Sequence, residues 1–167
     1  MAFFSFPNPV NEVAARVVAG GVLLGSVITI VLGVSLGDRW LWLTAALALG
    51  FVARVLTGPK LSPLGQLATR VIAPRIGHEK FVAGPPKRFA QSIGAVVTLT
   101  ATVLVAVGAY PAVYALLGLM VFFATLESVF AICVGCMIFA QLMRVGLVPQ
   151  ETCAACADIS LRYAQTA

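Results

Sequence analysis

Long apolar runs closed by short polar links organise the 167-residue chain. Four of these runs reach the ~20 residues that an α-helix needs to cross a hydrocarbon layer, or approach it closely enough to span by tilting. The first extends from about Asn11 to Leu36; Asn8-Pro9 leads into it, and Glu12 stands in its first turn, where a helix dipole favours an acid. The second covers Trp40 to Leu56 and the third Phe89 to Ala109. The fourth opens at Pro111, a favoured first helical position, and stays apolar as far as Met143. In the link after the second run, Ser62-Pro63 reads as a cap and first turn. Leu64, Leu67, Ala68, Val71 and Ile72 then keep one-face helical spacing until Pro74, which predicts a short interfacial helix over 62–74. A further short helix is expected over about 149–164. The expected fold class is an all-α integral membrane protein: a four-transmembrane-helix bundle forming a single membrane domain over 1–167.

Composition supports that class. Sixty per cent of the residues are hydrophobic and 10% are charged, against roughly 25% charged in ordinary soluble domains. The formal charge of +5 does not point to nucleic acid, because the basic residues sit at the ends of apolar runs, where they orient a chain in a membrane. Lys60, Arg70, Arg75, Lys80, Lys87 and Arg88 all fall in the second link, whereas the other links carry only Asp38 and Arg39 or no charge. The basic link and both termini are therefore expected on the cytoplasmic side, with Trp40, Trp42, Tyr110 and Tyr114 forming an aromatic belt at the outer face. The N-terminus lacks the charged start of a cleavable signal peptide, since the first basic residue is Arg16; Phe3, Phe4 and Phe6 are expected at the interface.

The first run carries Gly21, Gly25, Thr29, Gly33 and Gly37 at four-residue spacing. Such a stripe lets another helix backbone approach closely, which matters where lipid supplies no hydrophobic drive for association. Packing inside the bundle is the favoured reading, and a homo-oligomer interface is the other.

Most enzyme signatures are missing: the chain has no Gly-rich phosphate loop, no Ser/His/Asp set and no HExxH. The lone His78 reads as a solvated loop residue. The cysteines stand apart, because all four fall into two CxxC pairs, Cys133/Cys136 and Cys153/Cys156. That spacing serves thiol–disulfide exchange or zinc binding. Redox chemistry is favoured because the first pair lies in an apolar helical run, whereas zinc pairs normally occupy polar turns; zinc on all four cysteines stays the alternative. In a continuous fourth helix Glu127 lies about 24 Å from Pro111, with Cys133 and Cys136 at about 33 and 38 Å, near the inner boundary. Cys153 follows Pro149 and Thr152, each a candidate helix start, so it is the expected solvent-facing nucleophile. Glu127 is a supporting candidate because a carboxylate at that depth needs a partner, and Arg54 near the inner end of the second run is the expected one. Arg88, at the start of the third run, is a further supporting cation.

Three stretches carry a family resemblance: Pro7-Asn8-Pro9-Val10-Asn11, Ala83-Gly84-Pro85-Pro86-Lys87-Arg88-Phe89-Ala90-Gln91, and Leu126-Glu127 with Cys133-Val134-Gly135-Cys136. On these the chain resembles a bacterial membrane family, domain of unknown function 4395. The resemblance implies a four-helix protein of the bacterial inner membrane and companionship with thioredoxin-like or sulfur-transfer proteins, but no reaction. A looser analogy links the two cysteine pairs to vitamin K epoxide reductases and the disulfide-forming membrane oxidases, in which one pair faces a quinone. This chain departs from them in the expected cytoplasmic side of its cysteines.

The resulting expectation is a membrane thiol–disulfide oxidoreductase or thiol/persulfide relay. Cys153 and Cys156 exchange with a thioredoxin-like or sulfurtransferase partner, and Cys133 and Cys136 connect to a membrane carrier such as quinone. The alternative is a non-enzymatic structural or transport subunit whose cysteines hold zinc or a structural disulfide.

Overall fold

The computed structural model describes residues 6–76 and 81–149. Phe3, Phe4, His78, Cys153, Cys156 and nearly all of the helix expected over 149–164 lie outside the described residues. Helix α1 spans Glu12–Leu36. Its start follows from Asn11, whose side-chain oxygen accepts from the amides of Val13 at 2.9 Å and Ala14 at 3.4 Å, so two otherwise unpaired amides gain a partner. Gly37 ends it with φ 104°, a conformation costly for any residue with a Cβ. A 3-10 turn, Asp38–Trp42, leads directly into α2, Leu43–Thr57, making one apolar rod of 20 residues. Gly58, at φ 65°, closes that rod.

Ser62 caps the next element as expected, its hydroxyl accepting from the Gly65 amide at 3.3 Å. Pro74 does not end it. Short helix α3, Pro63–Leu67, passes through a π-helical turn, Ala68–Ile72, into α4, Ala73–Ile76. The wide turn absorbs the proline: the Ala73 amide reaches back five residues to the Ala68 carbonyl, and Pro74 has no amide to place. Ala68 and Ala73 form the buried face against Ala14, Val17 and neighbours on α1, Gly65 rests on Pro59, and Leu67 turns outward.

Helix α5 spans Gly84–Ala106, starting before the expected Phe89 because Pro85 and Pro86 fill its first turn, where no amide bond is required. Lys87 is therefore part of the helix rather than of the basic link. Helix α6 spans Tyr110–Ser128 and stops well short of Met143. The Ile132 amide bonds back to the Leu126 carbonyl at 3.0 Å, and Ala131 takes φ 58° to close that loop. After the break, α7 runs over Val134–Arg144 and packs chiefly on α5. The expected fourth run is thus two helices.

Four helical segments, Glu12–Leu36, Asp38–Thr57, Gly84–Ala106 and Tyr110–Ser128, are long and apolar enough to cross a membrane. α1 packs mainly on α6, α2 on α5, and α5 also on α6. Val22, Phe51, Ala95, Met120 and Ala124 fill one part of the interior; Leu41, Ala101, Val113 and Leu117 fill another. The outer faces carry Leu24, Val34, Leu49, Val96, Val103 and Phe122, all exposed. The glycine stripe of α1 is used inside the bundle: a Cβ at Gly21 would strike Leu64, one at Gly25 would press on Leu47, and one at Gly33 would lie 2.7 Å from the Tyr114 hydroxyl.

Candidate functional site

The three stretches on which the family resemblance rests meet at one end of the bundle, where α1 begins, α2 ends, α5 begins and α6 ends. Val10–Asn11 pairs antiparallel with Phe81–Val82. The Asn8 side chain accepts from the Gly84 amide at 3.0 Å, and Gly84 leaves no room for a Cβ, which would come within 2.5 Å of the Pro7 carbonyl oxygen. Arg16 reaches from α1 to the end of α6 and donates to the carbonyls of Ser128 and Val129 at 3.1–3.2 Å. Those carbonyls form the negative end of a helix, so a cation there is favourably placed.

On this base α7 presents the first cysteine pair. Cys133 is the extended residue just before the helix and Cys136 is its third residue. The pair therefore sits at a helix N-terminus rather than inside a continuous run, and Cys133 occupies the kind of position expected for Cys153. Both thiols are free, half-buried and within hydrogen-bonding reach of each other. The Cys133 thiol is drawn below its ordinary value, first by the hydrogen bond from Cys136. The Cys136 backbone amide and the nearby Lys87 add to this, while burial and Glu127 oppose it. Cys136 is driven up by the same hydrogen bond, by burial and by negative charge on Cys133. The shared hydrogen bond thus favours thiolate on Cys133 and keeps Cys136 protonated.

The pair is held in place by close packing. A Cβ on Gly135 would lie 2.6 Å from the Ala90 Cβ and 2.7 Å from its Cα, so α7 rests directly on the α5 backbone. Phe139 meets Phe89 with ring centroids 5.6 Å apart.

Glu127 has a partner, but it is not Arg54. Lys87 Nζ lies 2.7 Å from Glu127 Oε1, with the two side chains 10% and 24% exposed. Each charge stands at the helix end its dipole disfavours, Lys87 in the first turn of α5 and Glu127 in the last turn of α6, so each offsets the other. Arg54 is engaged elsewhere: its Nη1 donates to Ser62 Oγ at 3.2 Å and its guanidinium lies 4.5 Å from the Phe51 ring centre. It is 3% exposed, and its Nε has no hydrogen-bond partner among the described residues. Arg88 points outward and donates to the Val55 carbonyl at 3.1 Å, tying α5 to the end of α2.

A cavity of about 170 Å³ joins these groups. Arg54 from α2, Lys87 and Gln91 from α5, Glu127 from α6 and Cys133 from the start of α7 line it, and Phe51, Met120 and Ile138 supply apolar wall. Arg88 and Cys136 do not line it. Among the described residues, no three His, Cys, Asp or Glu side chains gather as metal ligands.

Residues 10–144 match the model of the family described as Domain of unknown function (DUF4395). The chain belongs to that family. No curated protein and no solved structure matches it. The family match takes in Cys133 and Cys136 and ends before Cys153 and Cys156.

Three site residues escape a reading of the sequence alone. Lys87 counts as one more loop cation until α5 is seen to begin at Gly84; the Pro85-Pro86 pair just before it is the signal for an early helix start. Gln91 lies one turn further along α5 and faces the cavity with its Oε1 buried and unpartnered. Arg16, spaced from Glu12 by one helical turn, gives no sign in sequence of its distant carbonyl partners.

Proposed function

We propose that this protein is a membrane thiol–disulfide exchanger whose working pair is Cys133 and Cys136. The observation that carries the reading is the placement of the pair: an N-terminal cysteine at a helix start, its partner three residues on, and the first cysteine lining a cavity beside a buried ion pair. A membrane setting is supported by four long apolar helices whose outer faces expose leucine, valine and phenylalanine, a surface that water disfavours. In that setting α6, at 19 residues, covers about 28 Å, close to the hydrocarbon thickness, so the cysteine pair lies at the boundary where a soluble partner can reach it.

The chemistry needs no group beyond two proteins. The Cys133 thiolate attacks a disulfide of a thioredoxin-like or sulfur-transfer partner, one S–S bond forming as another breaks and the first partner thiolate leaving. Cys136 then loses its proton and attacks the Cys133 sulfur, which releases the second partner thiolate. Two electrons pass to the partner, its two thiols take up the two protons, and Cys133–Cys136 is left as a disulfide; the reverse sequence reduces it.

The test isolates the pair in a Cys153→Ser/Cys156→Ser background. With Cys136→Ser added, a mixed disulfide between Cys133 and an added thioredoxin-like protein should accumulate and be visible by mass spectrometry. Stoichiometric zinc in the unmodified protein, with thiols that alkylate only after chelation, would replace exchange by a metal-holding role.

A further inference from the structure

We infer that the cavity beside Cys133 is a binding site for a single-chain, lipid-soluble monoanion whose headgroup rests on Arg54. Three observations carry this, none of them the thiol reading. First, the charge count is uneven. Lys87 and Glu127 neutralise each other, whereas Arg54 is 3% exposed and, among the described residues, has only a serine hydroxyl and a phenylalanine ring for company. A buried cation without a counter-ion is costly, and an anionic guest removes that cost. Second, two residues lining the same cavity have unused polar capacity: among the described residues, Arg54 Nε has no acceptor and Gln91 Oε1 has no donor. A headgroup oxygen can take the first, and a hydroxyl or water carried in with it can serve the second. Third, the rim is apolar. Ile93, Leu119, Phe123 and Ile138 line the cavity and are also 37–43% exposed on the outside of the bundle, so the way in passes over hydrocarbon side chains rather than charged ones.

The size agrees. An enclosed apolar space of about 150 Å³ accepts a benzene ring, so about 170 Å³ accepts a headgroup and the first part of one chain, with the rest leaving over the exposed apolar rim. A single-chain occupant is assigned because the cavity itself takes only a headgroup and the start of one chain. A neutral carrier such as quinone leaves Arg54 uncompensated, which is why an anion is assigned. Because Cys133 lines this cavity, an occupant is expected to slow reagents that reach it.

That last consequence supplies the readout. The Cys153→Ser/Cys156→Ser protein is placed in nanodiscs of phosphatidylcholine, and Cys133 alkylation by a small maleimide is followed by mass spectrometry with oleate, oleyl alcohol, decyl-ubiquinone or phosphatidylglycerol added. Oleate should slow alkylation saturably, at concentrations at least tenfold below those at which oleyl alcohol acts. Arg54→Gln should abolish that preference and Arg54→Lys should keep it. Because Arg54 also holds Ser62, the rim variant Ile93→Trp is measured alongside; it leaves Arg54 in place and should weaken oleate protection with an unchanged melting temperature. Equal protection by oleyl alcohol or decyl-ubiquinone, full protection by phosphatidylglycerol alone, or an oleate preference that survives Arg54→Gln would each overturn the assignment. Loss of mixed-disulfide trapping with oleate protection intact would instead strike only the exchange reading.

Discussion

Lys87 and Glu127 show how a single pair can hold a structure and set a reactivity at once. Both charges are largely withdrawn from water, so removing one strands the other, at a cost of about 3–5 kcal/mol where a buried pair is broken from one side. Lys87→Met should therefore lower the melting temperature in detergent clearly more than the double variant Lys87→Met/Glu127→Gln, in which no charge is left alone. The same two residues act on Cys133 in opposite senses: the cation favours its thiolate and the carboxylate disfavours it. In the pH dependence of Cys133 alkylation, the midpoint should rise in Lys87→Met and fall in Glu127→Gln, with Cys136 and its hydrogen bond present in both. Midpoints moving together, or not at all, would mean that the pair is too far from the sulfur in solution to matter.

At the scale of elements, the decisive joint is α7 on α5. Gly135 sits inside the CxxC itself, and a methyl group there meets both the side chain and the backbone of Ala90, neither of which is a flexible tip that can swing away. Gly135→Ala should cost about 1–3 kcal/mol by overpacking and lift the cysteine pair off its seat. It should show as a lowered melting temperature together with a shifted Cys133–Cys136 equilibrium against dithiothreitol. Gly118 is the control, because nothing lies within 4 Å of a Cβ placed there. Gly118→Ala should leave both measurements where they were. Two helix starts were legible in the sequence: Ser62 caps as its residue type suggests, and Pro111 stands in the first turn of α6; Asn11 stands at the start of the first run, and its capping of Val13 and Ala14 emerges only from the structure. The break after Ser128 was not legible, because neither Gly nor Pro marks it. Ala131 takes the left-handed turn, and the stop is made by a long-range grip, Arg16 on the last carbonyls of α6. Pro74 misled in the other direction, since a π turn upstream accommodates it. Of the site, the chemistry-bearing residues Cys133, Glu127 and Arg54 were visible as types and do share a cavity; who pairs with whom was not, because that depends on α5 starting a turn early and carrying Lys87 inward.

For the whole molecule, the arrangement of charge now rests on fewer residues than the sequence suggested, and it still points one way. Lys87 belongs to α5 and is ion-paired with Glu127 of α6, and Arg16 donates to carbonyls at the end of α6. The basic residues Lys60, Arg70, Arg75 and Arg88, whatever each one bonds, still lie at the end that holds the cysteine pair, and Arg144 ends α7. The opposite end has Asp38 and Arg39, and Asp38 accepts from the Tyr114 hydroxyl at 3.3 Å. An excess of Lys and Arg in short links fixes the cytoplasmic side, so the cavity and Cys133 are predicted to open toward the cytoplasm, where soluble thiol proteins are kept reduced. Two exposed positions report on this directly: Leu61, in the link after α2, and Val107, in the link after α5. In a background lacking all four native cysteines, Leu61→Cys should be labelled by a membrane-impermeant maleimide only in inverted vesicles. Val107→Cys should be labelled in intact cells, as should Asp38→Cys on the neighbouring link. Labelling of Leu61→Cys in intact cells with Val107→Cys protected would invert the molecule and turn the cysteine pair toward an oxidising compartment. Labelling of both positions from one side would mean that α5 does not cross, and the four-span bundle itself would fall.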